Sequence, residues 1–126
     1  MNDPSSTSTE PTAPNGADAG ADPFRSVRRG LLELAVLTAL SSGRLYAAEI
    51  LDRLTSTPFA TQEGTLYPLL GKLRRDGLLE HEWVESDSGP PRKYHRLTPD
   101  GTERLTQLDS YWKQLATTLE QLGAPR

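Results

Sequence analysis

Nine basic side chains fall in three clusters, and the chemistry open to them is the neutralising of phosphate. Arg25, Arg28 and Arg29 form the first, Lys72, Arg74 and Arg75 the second, Arg92, Lys93 and Arg96 the third. Cations flanking a groove-filling element release counterions from a nucleic-acid backbone, which supplies most sequence-independent affinity. Clusters of this kind are common on ordinary solvated surfaces, so they do not identify a partner alone. The more specific signal lies in "EGTLYPLLGKLRRDGLL", Glu63 to Leu79, where small and hydroxyl-bearing residues precede the second cluster. Thr65 and Tyr67 offer hydroxyls, and Tyr67 with Pro68 offers apolar surface to thymine methyls, as base reading from the start of an inserted helix requires.

Other chemistries have little to stand on. The chain has no cysteine, which removes disulfides, thiolate metal sites and a cysteine nucleophile, and fits a reducing, cytoplasmic setting. His81 and His95 can approach one another across a hairpin, but two histidines without a third ligand do not make a metal site, so no metal and no cofactor are expected. There is no nucleophile and base constellation and no glycine-rich phosphate loop, so an enzyme is not expected. The longest apolar run, within Leu31 to Leu40, is broken by Glu33 and Thr38. It falls far short of the roughly 20 residues of a membrane span.

The elements that must hold these residues follow from periodicity. From Glu63 onward, Leu66, Leu69, Leu70 and Leu73 form one narrow helical stripe, while Gly64, Pro68, Gly71 and Arg75 lie opposite. Thr65 and Lys72 flank that opposite face on one side, Tyr67 and Arg74 on the other. Two glycines and a proline weaken a helix, and a face built from them suits close backbone approach to something large. Pro68 cannot donate to the Gly64 carbonyl, which predicts a bend or a late helix start. Gly77 stops the helix.

Before it, "SVRRGLLELAVLTALSSG" predicts a helix capped by Ser26 and closed by Gly43, with Val27, Leu31, Leu34, Ala35 and Thr38 on one face and Leu32, Val36 and Leu40 on a second. "LYAAEILDRLTST" predicts a short second helix through Ala47, Ile50, Leu51 and Leu54, with Glu49 and Arg53 spaced for a surface pair. Tyr46, at its start, suits either the core or a backbone phosphate. After Gly77, "LLEHEWVES" and "RKYHRLT" predict two strands around the turn "DSGPP", with Leu79, His81 and Trp83 on one side and Tyr94 and Arg96 among the residues facing them. Three helices followed by a hairpin is the order of a winged helix-turn-helix. The fold class expected is mainly α with a small β hairpin.

Thr98, Pro99 and Asp100 then open a last helix. Leu105, Leu108, Trp112, Leu115, Leu119 and Leu122 follow at alternating spacings of three and four, a seam that predicts dimerisation with a second copy rather than packing on its own domain. Trp112 is either a large anchor in that seam or a stacking surface for an effector. Residues 1–23 carry four acids and no base, so the remaining 14 bases meet 13 acids, and the formal net charge of −3 belongs to this stretch. It has no basic start or apolar run like a secretory signal. Its Pro, Ser, Thr, Gly and Ala content predicts a disordered acidic tail. The expected organisation is tail 1–23, winged helix-turn-helix 24–97, dimerisation helix 98–122 and a flexible end 123–126.

"LYAAEI", "EGTLYPLLGKLRRDGLL" and "SGPPRKYHRLTPDG" occur in the order and spacing of the PadR family of bacterial transcriptional regulators, and residues 28–122 resemble a member with a short, single-helix C-terminal part. The resemblance implies a homodimeric winged-helix protein that binds a double-stranded DNA operator, usually as a repressor released by a small-molecule or other effector. It implies that Thr65, Tyr67 and Lys72 face the major groove, while Arg92 and Lys93 grip phosphate or the adjacent minor groove; Pro68 and Arg75 on the same helix are also expected to contact DNA. In short members an aromatic residue on the terminal helix lines a ligand pocket between subunits, the place of Trp112. The chain departs from the family's habit at Ala47, where Gly is frequent, at Gly71, where a long polar residue is frequent, and at His95, where Tyr is frequent. The competing expectation is a winged helix that binds protein and reads no DNA, because fold does not fix function.

Overall fold

The computed structural model describes residues 22–125. The expected tail, apart from Asp22 and Pro23, lies outside the described residues, as does Arg126 of the expected flexible end. The described residues divide into two units between Gly30 and Leu31. In the described part of the first, Asp22 Oδ1 accepts from the Phe24 N–H at 2.9 Å and the Asp22 carboxylate pairs with Arg28. Helix α1 (Arg25–Ala39) starts there, one residue before Ser26. Asp22, not Ser26, therefore supplies the side-chain oxygen at this end.

From Leu31 onward the elements run α1, β1 (Leu45–Tyr46), α2 (Ala47–Thr55), α3 (Glu63–Arg75), β2 (Leu79–Ser86), β3 (Gly89–Leu97) and α4 (Pro99–Leu122). Gly43 follows α1 with φ 146°, a backbone open to glycine. The core is assembled from Val36, Leu37 and Leu40 of α1, Ile50 and Leu54 of α2, Leu66, Leu70 and Leu73 of α3, and Leu45, Leu78 and Leu79 around the sheet. Each fully buried Leu or Ile contributes about 1.5–3 kcal/mol. The α1 face expected to lead is not the buried one, since Leu31, Leu34 and Ala35 are half-buried and Thr38 is exposed. An all-round apolar helix does not announce which side its neighbours cover.

Helix α3 has the inward stripe its spacing demands: Leu66 and Leu73 are fully buried and Leu70 nearly so. It begins at Glu63 and runs through Pro68, so the late start is corrected. Its end is a Schellman motif: Leu78 N–H donates to the Leu73 carbonyl at 2.9 Å and Gly77 N–H to that of Arg74 at 3.0 Å, with Gly77 at φ 78°.

The sheet has three strands in the order β1-β3-β2, all antiparallel neighbours. Strand β1 was not foreseen, because two residues are too few to show a period. Pairing Leu79 with Leu97, His81 with His95 and Trp83 with Lys93 puts Tyr94 opposite Glu82 and Arg96 opposite Glu80. This corrects the expected facing of Tyr94 and Arg96 by one residue, which in a strand means the opposite face. The turn is Asp87–Ser88 alone, and Pro90 and Pro91 lie inside β3 beside a bulge. Prolines are tolerated there because β1 pairs only with residues 94 and 95, leaving that stretch of β3 with one neighbour.

Candidate nucleic-acid interface

With its leucines turned inward, α3 presents Gly64, Thr65, Tyr67, Pro68, Lys72, Arg74 and Arg75 as exposed residues. Gly71 is half-buried, and a Cβ built on it would lie 3.3 Å from Arg75 Nη1. The glycine expected to loosen this helix thus lets the Arg75 guanidinium fold back across it. Lys72 Nζ meets Asp76 Oδ2 at 3.0 Å, an exposed i, i+4 pair worth a few tenths of a kcal/mol, roughly. Among the described residues, Arg74, Arg75, Arg92 and Lys93 have no carboxylate partner.

Between α3 and the sheet runs a groove of about 490 Å³, lined by Tyr67, Arg74, Trp83, Arg92, Lys93 and His95 among others. The structure thus brings Tyr67 together with Arg92 and Lys93, whereas Thr65, Pro68, Lys72 and Arg75 stand on the open part of α3 outside the groove lining. Arg92 lies 4.7 Å over the Tyr46 ring and Lys93 5.5 Å over the Trp83 ring. Tyr46 itself meets Tyr94 edge-on at 5.3 Å. Glu49 does not pair with Arg53: its Oε1 accepts from the Tyr46 N–H at 3.1 Å, while Arg53 reaches Ser42 Oγ at 3.4 Å. Capping the start of α2 satisfies an amide, a larger gain than an exposed ion pair.

Beneath the groove, His81 and His95 are cross-strand partners with ring centroids 6.3 Å apart, and the Nδ1 atoms of both are buried without a hydrogen-bond partner. Among the described residues no group of three metal-ligating side chains converges. Burial pushes the His95 imidazole down to about 4, helped by the positive charges of Lys93, His81 and Arg74. Since the folded pKa lies below the ordinary 6.5, the unfolded chain binds the proton first. The contribution is complete above pH 6.5 and is lost as pH falls through about 4. Acid should therefore remove up to about 3 kcal/mol of stability across that window. His95→Tyr is expected to flatten this limb in urea melts at pH 7, 5.5 and 4.5; an unchanged pH profile would assign the loss to other groups.

The last helix behaves in two halves. Thr98 Oγ1 accepts from the Gly101 N–H at 3.0 Å, as expected of an N-cap, and donates to the Gly77 carbonyl at 2.6 Å. Leu105 and Leu108 pack half-buried against the core, and Arg104 Nη1 reaches Glu33 Oε2 at 3.3 Å. Beyond them Trp112, Leu115, Leu119 and Leu122 are 40%, 42%, 67% and 77% exposed. Trp112 also lines an apolar groove of about 480 Å³ with Leu31, Leu34, Ala35 and Phe59, edged by Arg53 and Asp109.

Three helices and a hairpin wing, with cations grouped around an outward-facing helix, define a winged helix-turn-helix protein. The chain belongs to the PadR-like family of transcriptional regulators, which residues 36–107 match. This is a family of DNA-binding regulators rather than enzymes. A transcriptional regulator of Mycobacterium tuberculosis is 32% identical over 84 residues, covering 67% of this chain and 78% of the relative. Among solved structures, a PadR-like transcription factor from Bacteroides fragilis is 42% identical with a TM-score of 0.70, covering 81% of this chain and all of that one. A PadR family regulator from Eggerthella lenta is 31% identical with a TM-score of 0.73, covering 82% and 90%. No described helix is long and apolar enough to cross a membrane.

Proposed function

We propose that this chain is a homodimeric, sequence-specific DNA-binding repressor that releases its operator when a small molecule binds. The observation that carries the reading is the division of α3: Leu66, Leu70 and Leu73 are buried, while Thr65, Tyr67, Pro68 and Lys72 are bare. A helix with small and hydroxyl-bearing residues free of its own domain suits a major groove. Arg92 and Lys93 on the wing, with Arg75 at the end of α3, suit the flanking phosphates. In this division residues 24–97 read DNA and 98–122 join the protomers. The apolar groove beside Trp112 supports the effector, since a flat ring stacks on an indole that is part exposed at such a wall. Repression rather than activation rests on the family resemblance.

Two classes of residue are expected to fail differently. Lys72→Ala or Arg92→Ala weakens binding to every duplex and lowers the slope of log K against log salt by about 1. Thr65→Ala or Tyr67→Phe shifts sequence preference by roughly 1–3 kcal/mol per altered base pair. Fluorescence anisotropy against operator and mixed-sequence duplexes separates the two, and a uniform effect from all four refutes the assignment. A mobility shift with the DNA upstream of the chain's own coding region tests the reading as a whole. Absence of any retarded complex at low salt would favour the protein-interaction alternative.

A further inference from the structure

The wing's outer face carries an alternating stack that the reading above leaves unused. Arg44 lies 4.8 Å over the Tyr94 ring, Tyr94 meets Tyr46 edge-on, and Arg92 lies 4.7 Å over Tyr46. Tyr46 and Tyr94 are Cα partners across β1 and β3, so their relation is set by the sheet. Tyr46 is pinned again where its N–H donates to Glu49 Oε1. The cation at the far end is tied down too: Arg44 pairs with Glu82 at 2.9 Å, and Glu82 with Arg96 at 2.9 Å. Arg44 and Arg96 are therefore neutralised locally, whereas Arg92, at the groove end, has an aromatic face beneath it and no carboxylate partner among the described residues.

We infer that Tyr46, braced by Tyr94, is a positioning residue that holds the Arg92 guanidinium over the groove before DNA arrives. An unheld arginine surrenders its rotamer freedom on meeting a phosphate, and a guanidinium already resting on a ring has surrendered part of it beforehand. The attraction is electrostatic and belongs to the ring, so phenylalanine supplies it and an aliphatic side chain does not. This rests on the assignment of Arg92 to a phosphate.

The test uses anisotropy of a fluorescein-labelled mixed-sequence duplex over a range of salt, with thermal melts as a check on folding. Tyr46→Leu is expected to weaken binding about three-fold and to lower the salt slope part of the way toward that of Arg92→Ala. Tyr46→Phe retains the binding and slope of the unaltered chain. In an Arg92→Ala background, Tyr46→Leu has no further effect. Should Tyr46→Leu prove poorly folded, Tyr94→Leu removes the brace alone and is expected to give a smaller loss, again absent without Arg92. Equal loss from Tyr46→Leu with and without Arg92 overturns the inference while leaving the phosphate contact standing. Loss in Tyr46→Phe matching that in Tyr46→Leu overturns it in favour of a direct hydroxyl contact. An Arg92→Ala chain with unaltered affinity and slope overturns the phosphate assignment and the inference together.

Discussion

Gly101→Ala is expected to lower the melting temperature by roughly 15 °C, in a substitution that ordinarily stabilises a helix. Gly101 is the one described residue of α4 that is buried. A Cβ built there would lie 2.0 Å from the Leu78 carbonyl oxygen and 3.0 Å from its carbon, both backbone atoms that no rotamer change can move away. That carbonyl accepts the Thr98 N–H at 3.1 Å, and Thr98 Oγ1 holds the neighbouring Gly77 carbonyl. Making room for one methyl group therefore loosens the N-cap of α4 and the Schellman stop of α3 together. Overpacking against backbone with loss of such bonds costs about 3 kcal/mol. Gly64→Ala is the comparison, because a Cβ there meets open space. It is expected to leave the melting temperature unchanged or slightly higher, while weakening DNA binding if the backbone at Gly64 approaches the duplex closely. A Gly101→Ala chain as stable as its parent would contradict the close approach of α4 to Leu78.

Leu115→Glu with Leu119→Glu is expected to convert the proposed dimer to monomer, weakening association at least about a thousandfold. The two leucines lie on the half of α4 that its own domain leaves uncovered, where Leu119 and Leu122 are more than half exposed. A symmetric seam places each substitution twice, and the carboxylates would meet like charge as well as lose apolar burial. Sedimentation velocity reads the change, and because these positions are exposed the melting of the isolated protomer should barely move. Trp112→Ala separates the two readings of that residue: a dimer that persists but no longer responds to effector marks a stacking surface, and a monomer marks an anchor. An unaltered chain that sediments as a monomer at micromolar concentration would sink the dimer and, with it, paired half-site reading.

How much of this was readable beforehand depended on the range over which each feature is decided. Periodicity and caps are local, so the Leu66, Leu70 and Leu73 stripe, the Gly77 stop and the Thr98 cap were all legible from spacing. The outward set of Thr65, Tyr67, Pro68 and Lys72 followed from the same stripe, being what remains once the leucines are assigned. The cations of the wing were visible as a cluster, but not which of them are free. Arg96 is held by Glu80 and Glu82, and only the strand register reveals it. The facing of Tyr94 and Arg96 is not legible because the two-residue turn pairs Ser86 with Gly89 and a bulge between Val84 and Ser86 then shifts the ladder by one residue, an irregularity that no spacing in the sequence announces. The structure needs two residues for the turn and lets both prolines occupy a strand with a vacant edge.

By itself, then, the order of amino acids determined the helices, the Gly77 stop of α3, the Thr98 cap of α4 and the buried side of α3, since each depends on neighbours within a few positions, and the order and spacing of its motifs determined the family. Tertiary structure alone decided which side of α1 is covered, that Tyr46 joins a third strand beneath Arg92, and that Gly101 sits on the Leu78 carbonyl. Those contacts join residues tens of positions apart, and no local pattern records the distance at which two backbones come to rest.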